Sequence, residues 1–216
     1  MKRKIVISED GSQTLYVESL NEHYHSIFGA VSESQHIFIE AGLLSSSVKD
    51  PEILEIGFGT GLNALLTLSY ANKKSKIKYY ALEKYPLTEE EWSSLNFFPG
   101  NAELSNYFNL LHRGSWHKWL MIKPGFSFYK SQADFNNFYP EGNYDIIYFD
   151  AFAPDVQPEL WSQENFKKLY QSMNNGGILV TYSVKGSVRR VLLECGFKVE
   201  KLPGPKGKRH MLRAYR

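Results

Sequence analysis

The fold class predicted by this 216-residue sequence is an α/β sandwich on a mostly parallel sheet, and three observations predict it. From Glu52 onward short apolar strands alternate with amphipathic helices. A glycine-rich turn, Gly57-Phe58-Gly59-Thr60-Gly61, joins the first of these strands to the first helix. The last two strands flank a Pro/Gly/Lys loop, which suits an antiparallel hairpin at a sheet edge.

Taken in order, Lys4–Ile7 and Thr14–Val17 flank the turn-rich Ser8-Glu9-Asp10-Gly11-Ser12 and read as a β-hairpin. Ser34–Leu44 carries Ile37, Phe38, Ala41 and Leu44 at helical spacing and reads as a helix. Residues 1–45 are therefore expected to be an N-terminal extension packed on a main fold of residues 46–216. In that fold Glu52–Ile56 reads as a strand, Leu62–Ala71 as a helix and Ile77–Leu82 as a strand. Thr88 followed by three glutamates opens a helix to Leu95, since a Thr cap and early acidic residues both suit a helix N-terminus. A helical stretch follows near Asn101–Leu111, and Phe126–Tyr129 and Tyr144–Phe149 are strands. Ser162–Met173 reads as a helix, stopped by Asn174-Asn175-Gly176 before a strand over Gly177–Tyr182. Val188–Glu194 is a helix, and Phe197–Lys201 and His210–Tyr215 are the closing strands. Trp92, Trp116 and Trp119 read as packing residues at helical spacings, and Cys195 as a small core residue.

Apolar and charged fractions of 43% and 22% are those of a soluble globular chain, and no hydrophobic stretch is long enough to cross a bilayer. The basic N-terminus leads into no apolar signal region, and a single cysteine permits neither an internal disulfide nor a cysteine-based zinc cluster. A cytoplasmic protein is the expectation. The net charge of +2 is unevenly spread: Lys185–Arg216 holds ten Lys or Arg against Glu194 and Glu200, a local +8 that leaves −6 for the rest. Such a basic end suits a polyanionic partner, nucleic acid being the commonest; a merely solvated Lys-rich surface is the alternative.

The glycine turn follows a buried strand and opens a helix, so its amides can face the polar end of a ligand. A dinucleotide fingerprint would be G-x-G-x-x-G, yet Leu62 stands where its third glycine belongs. The spacing Glu55-x-Gly57-x-Gly59-x-Gly61 instead resembles the first motif of S-adenosylmethionine-dependent methyltransferases, Rossmann-like proteins whose sheets end in such a hairpin. Glu83 ends the next strand 22 residues beyond Gly61, where a carboxylate can accept both ribose hydroxyls; otherwise it is a surface acid paired with Lys84. Asp134 follows the strand after that, placed either near the adenine amino group or as the cap of a short helix. The strand Tyr144–Phe149 delivers Asp150 to its carboxyl end, where ligands bind in open α/β sheets, and makes it the leading catalytic candidate.

Four blocks resemble a specific family, the methyltransferase domain of MnmC-type tRNA-modification enzymes and its stand-alone MnmD-type relatives. They are Gly57-Phe58-Gly59-Thr60-Gly61-Leu62-Asn63; Glu83-Lys84-Tyr85-Pro86-Leu87-Thr88; Asp150-Ala151-Phe152-Ala153-Pro154 with Pro158-Glu159-Leu160-Trp161; and Val188-Arg189-Arg190 before Gly196-Phe197. Lys206-Gly207-Lys208-Arg209 matches the basic segment near that domain's end, while Ala133 and Ala151 stand where the family more often has Gly.

The resemblance implies S-adenosylmethionine as cofactor, no metal, and methylation of the 5-aminomethyl group of wobble 2-thiouridine in tRNA. It implies that Glu55, Gly57, Phe58, Gly59, Thr60, Gly61, Asn63, Glu83, Lys84, Asp134 and Asp150 serve the cofactor, and that Asp150 orients the amine or takes its proton. Phe152 and Pro154 would meet the target base, unless Phe152 is ordinary packing, and Arg189, Arg190, Lys206, Lys208 and Arg209 would meet anticodon-arm phosphates. No oxidoreductase module follows Arg216, so a separate tRNA-modifying oxidoreductase is an expected partner. The competing functions are an aminopropyl or small-molecule methyltransferase, which leaves the basic end unexplained, and a non-catalytic RNA-binding module, which leaves Asp150 unexplained. An NAD-dependent oxidoreductase is disfavoured by Leu62.

Overall fold

The computed structural model describes residues 2–216. Eight strands form one sheet: β4 (Glu52–Ile56), β5 (Ile77–Glu83), β6 (Trp119–Lys123), β7 (Phe126–Gln132), β8 (Tyr144–Phe149), β9 (Met173–Thr181), β10 (Lys198–Pro203) and β11 (His210–Tyr215). Their order is β10-β11-β9-β8-β4-β5-β7-β6. The five central strands are parallel, and β6, β10 and β11 pair antiparallel at the two edges. The N-terminal hairpin pairs β1 (Arg3–Ile7) with β2 (Gln13–Val17), and β3 (Glu22–His23) adds a third, short strand.

Period-two alternation sends successive side chains of the central strands into two cores. Ile146 and Tyr148 join one with Ile53, Tyr79 and α2 (Leu62–Ser69), while Ile147 and Phe149 join the other with α5 (Gln163–Gln171) and α6 (Gly186–Glu194). Helix α4 (Ala102–Arg113) packs on the first side through Phe108 and Leu111, and α3 (Glu89–Ser93) is opened by a capping box between Thr88 and Glu91. The strand order reverses at β4, so the crevice at the carboxyl ends of β4, β5 and β8 is the topological switch point.

Several expectations are corrected. Trp119 is not helical packing: it opens the edge strand β6, is 53% exposed and pairs opposite Tyr129. The expected helix over Ser34–Leu44 is instead α1 (Ala30–Ser34) running into a π-helical turn over Gln35–Glu40, then a short 3₁₀ turn. Asn174-Asn175-Gly176 lies within β9, and Cys195 is half-exposed, its thiol facing the Gln163 carbonyl. Among the described residues no helix is long and apolar enough to cross a membrane, and no three His, Cys, Asp or Glu side chains form a metal-holding group.

Candidate active site

At the switch point β4 breaks into the glycine turn. The Gly57 and Phe58 amides both donate to the Leu82 carbonyl at 3.0 Å, and the Asp150 amide donates to the Ile56 carbonyl at 2.9 Å, so the ends of β4, β5 and β8 are tied together. Gly57 has φ +93°, and a Cβ there would lie 2.5 Å from the Asp150 carbonyl oxygen. Only glycine lets the turn pass this close to β8.

A cavity of about 340 Å³ opens over this turn, within the range of small-molecule sites. Gly57, Phe58, Gly59, Thr60, Asn63, Glu83, Lys84, Asp134, Asp150, Phe152 and Lys208 all line it. The remaining site candidates do not: Glu55 lies behind the turn with no exposure, Gly61 caps α2, and Pro154, Arg189, Arg190, Lys206 and Arg209 lie outside. Lys206 pairs with Glu9 at 2.9 Å. Lys208, expected to meet phosphate, is engaged inside the cavity, where its Nζ donates to Glu33 Oε1 at 2.6 Å.

Three carboxylates define the electrostatics of the floor. Asn63 Nδ2 donates both to Asp150 Oδ2 at 2.8 Å and to Glu55 Oε1 at 3.0 Å. Burial pushes the Asp150 carboxyl up to about 7, partly offset by the Asn63 hydrogen bond and reinforced by Glu33. Burial, then the Asp150 charge, raises Glu55 well above the ordinary carboxylate range. Glu83 accepts the Gly59 amide at 2.9 Å and the Tyr85 amide at 2.7 Å, one on each oxygen. Each oxygen retains acceptor capacity toward the cavity. Lys84 pairs with Asp134 at 2.8 Å rather than with Glu83, and Asp134 also caps a 3₁₀ turn by accepting the Asn136 amide at 3.0 Å.

The N-terminal segment supplies a wall that sequence reasoning missed. Tyr24 packs edge-on to Phe152 with centroids 5.0 Å apart and lies against Gly59. Arg3 anchors this wall, donating to the Tyr24 hydroxyl, to both Glu91 oxygens and to the Tyr85 carbonyl. His25 approaches Thr60 Oγ1 at 3.3 Å, and burial lowers it to about 4, so it is neutral at pH 7. Glu33 and Tyr182 also line the cavity. Tyr182 follows the carboxyl end of β9, a position analogous to that of Asp150 after β8 and the one signal that was readable.

Comparison with known proteins bears on the fold that carries this site. Residues 131–216 match a family described as S-adenosyl-L-methionine-dependent methyltransferase. The tRNA 5-methylaminomethyl-2-thiouridine biosynthesis bifunctional protein MnmC of Leptospira interrogans is 33% identical over 211 residues, covering 90% of this chain and 32% of that protein. Its counterpart in Aromatoleum aromaticum is 31% identical, covering 97% of this chain and 35% of that protein. The chain thus spans about a third of the length of these relatives. The crystal structure of MnmC2 from Aquifex aeolicus superposes with a TM-score of 0.83 at 27% identity, over 99% of this chain and 70% of that one. Spermidine synthase from Thermotoga maritima, at 13% identity and a TM-score of 0.64, covers 99% of this chain and 68% of that one and shares the fold alone.

The fold is that of the S-adenosylmethionine-dependent methyltransferases. The chain is similar to the MnmC-type tRNA-modification proteins over nearly its whole length.

Proposed function

We propose that this chain methylates the 5-aminomethyl group of wobble 2-thiouridine in tRNA, giving 5-methylaminomethyl-2-thiouridine, with S-adenosylmethionine as donor. The observation that carries the proposal is Asp150, which meets a cavity of cofactor size at the carboxyl end of β8 in a fold shared with MnmC-type relatives. Its activity is assigned to the cytoplasm, and the aminomethyl substrate to a separate tRNA-modifying oxidoreductase.

The residues fit the donor. The glycine turn leaves the cavity floor without side-chain bulk at Gly57 and Gly59, and Phe58 and Leu82 supply apolar contact. The free acceptor capacity of Glu83 suits ribose hydroxyls, and Asp134 suits an adenine amino group. When bound, the sulfonium supplies an electrophilic methyl group. The chain's own contribution is to orient the amine, exclude water and hold a proton.

A primary alkyl amine has an ordinary pKa of about 10, so it arrives mostly as the ammonium. Asp150, ionised above about pH 7, accepts a hydrogen bond from that ammonium and takes its proton, freeing the nitrogen lone pair. Asn63 fixes the rotamer of Asp150 by donating to its Oδ2. Phe152, held by Tyr24, offers an aromatic edge of the cavity to an unstacked base. We assign tRNA phosphate contacts to Arg189, Arg190 and Arg209, and treat residues 2–45, the described part of the N-terminal extension, as walling the site.

The test is methyl incorporation from labelled S-adenosylmethionine into tRNA carrying the aminomethyl nucleoside, followed by nucleoside analysis. Conversion is expected, reduced by about 10² to 10⁴ in Asp150→Ala. Cofactor binding with no tRNA methylation would remove the substrate assignment.

A further inference from the structure

We propose that Glu33 and Tyr182 form an alkylammonium subsite for the substrate's primary amine, and that the Lys208 side chain holds this subsite until the substrate displaces it. The identity of the amine's bearer rests on the function proposed above; the subsite rests on geometry.

Lys208 Nζ lies 2.6 Å from Glu33 Oε1 and 4.3 Å from the centroid of the Tyr182 ring. A carboxylate on one side and an aromatic face on the other are the two groups that recognise a cation of the form –CH₂–NH₃⁺. Both are fixed independently of the lysine. Glu33 is buried, and its other oxygen accepts the Ser26 amide at 2.7 Å. Tyr182 is pinned by its hydroxyl, which donates to the Ala151 carbonyl at 2.9 Å, one residue from Asp150. The cation is the part free to leave. Lys208 is partly exposed and sits in the loop between β10 and β11, beside Gly207.

Charge bookkeeping favours exchange over simple removal. A buried carboxylate stripped of its partner is strongly destabilised, whereas replacing one primary ammonium by another leaves Glu33 paired throughout. The –CH₂–NH₃⁺ end of a lysine is the same chemical group as a 5-aminomethyl substituent. Glu33, Lys208 and Asp150 line one cavity, and both charges act on the Asp150 carboxyl. An ammonium seated here is therefore held in the same cavity as the residue assigned to take its proton. A hydroxymethyl analogue could displace Lys208 only by leaving the Glu33 charge unpaired, which makes the subsite a filter for amines.

Propylammonium chloride, titrated calorimetrically into the whole protein, tests the subsite without tRNA or methyl transfer. Lys208→Met keeps the aliphatic stem and removes the competing cation; it is expected to bind propylammonium at least about tenfold more tightly than wild type. The gain should vanish in Lys208→Met/Glu33→Gln, and 1-propanol should give no such difference. Lys208→Gln, which also lacks the cation, repeats the comparison if the methionine variant is poorly folded. A Lys208 variant that binds propylammonium no better than wild type, or a double variant that keeps the gain, overturns the proposal. A propylammonium gain alongside failed tRNA methylation would discard the substrate and retain the subsite.

Discussion

Asp150 carries a cost that can be read in stability as well as in rate. Burial raises its carboxyl from 3.8 to about 7, so between these values the folded protein holds a proton that the unfolded chain has released. Unfolded chains then bind fewer protons, and by linkage the folded state loses stability as pH rises from about 4 to about 7. The full difference corresponds to at most about 4 kcal/mol, discounted because Asp150 is reached by water from the cavity. Asp150→Asn is expected to be about 1–2 kcal/mol more stable than wild type at pH 8 in urea unfolding, with little difference at pH 4. Equal stability of the two proteins at pH 8 would refute that reading. In the active enzyme the sign reverses: methyl transfer should rise as pH climbs through about 7, because only the carboxylate accepts a proton. The residues closest to this chemistry were legible where strand ends and glycine spacing expose them, as with Asp150, Glu83 and Gly57. Glu33, Tyr24 and His25 were not, because nothing in the local pattern distinguishes a glutamate that will be buried from one that stays in water.

At the scale of elements, the junction of β4 with α2 is the most constrained part of the fold. Gly57→Ala would place a methyl 2.5 Å from the backbone oxygen of Asp150 and strain a φ of +93°. Backbone cannot yield as a side chain can, so the end of β8 must move. Loss of about 1–3 kcal/mol in stability is expected, with a larger relative loss in S-adenosylmethionine affinity measured by calorimetry. Unchanged affinity would show that the turn tolerates displacement from β8. The central strands were legible for the same reason that they are rigid: both faces are buried, so they read as apolar runs bounded by turns. Strand β6 was obscured because it is an edge strand with Trp119, Leu120 and Met121 exposed, and the single buried position, Ile122, cannot show an alternation. The Lys123-Pro124-Gly125 turn that reverses it into β7 was the better signal. The π-helical turn over Gln35–Glu40 keeps Ile37, Phe38 and Ile39 buried, a cluster of three successive apolar positions that a regular α-helical period does not anticipate.

Over the whole molecule, the basic C-terminal end is less of a free patch than its composition suggests. Lys185 pairs with Asp155, Lys206 with Glu9, Lys208 with Glu33 and Arg213 with Glu200, while Arg216 donates to backbone carbonyls. Arg189 and Arg190 are exposed on α6, which begins just after β9 has delivered Tyr182 to the cavity, so its first turns lie at the same edge of the sheet as the site. Arg209 reaches that edge too, since the β10–β11 loop stands beside the end of β9. Phosphate contacts there would position the tRNA without touching the chemistry. Arg189→Ala/Arg190→Ala is therefore expected to weaken tRNA binding, leave S-adenosylmethionine affinity unchanged, and reduce the slope of log K against log salt by about 1.4–1.8. Lys73→Ala/Lys76→Ala is the control, because these exposed lysines precede β5 at the opposite edge and should alter neither the affinity nor the slope. If both pairs change the slope equally, the attraction is a diffuse property of the surface; if only the α6 pair does, the tRNA docks across the carboxyl edge of the sheet, where Asp150 can meet its base.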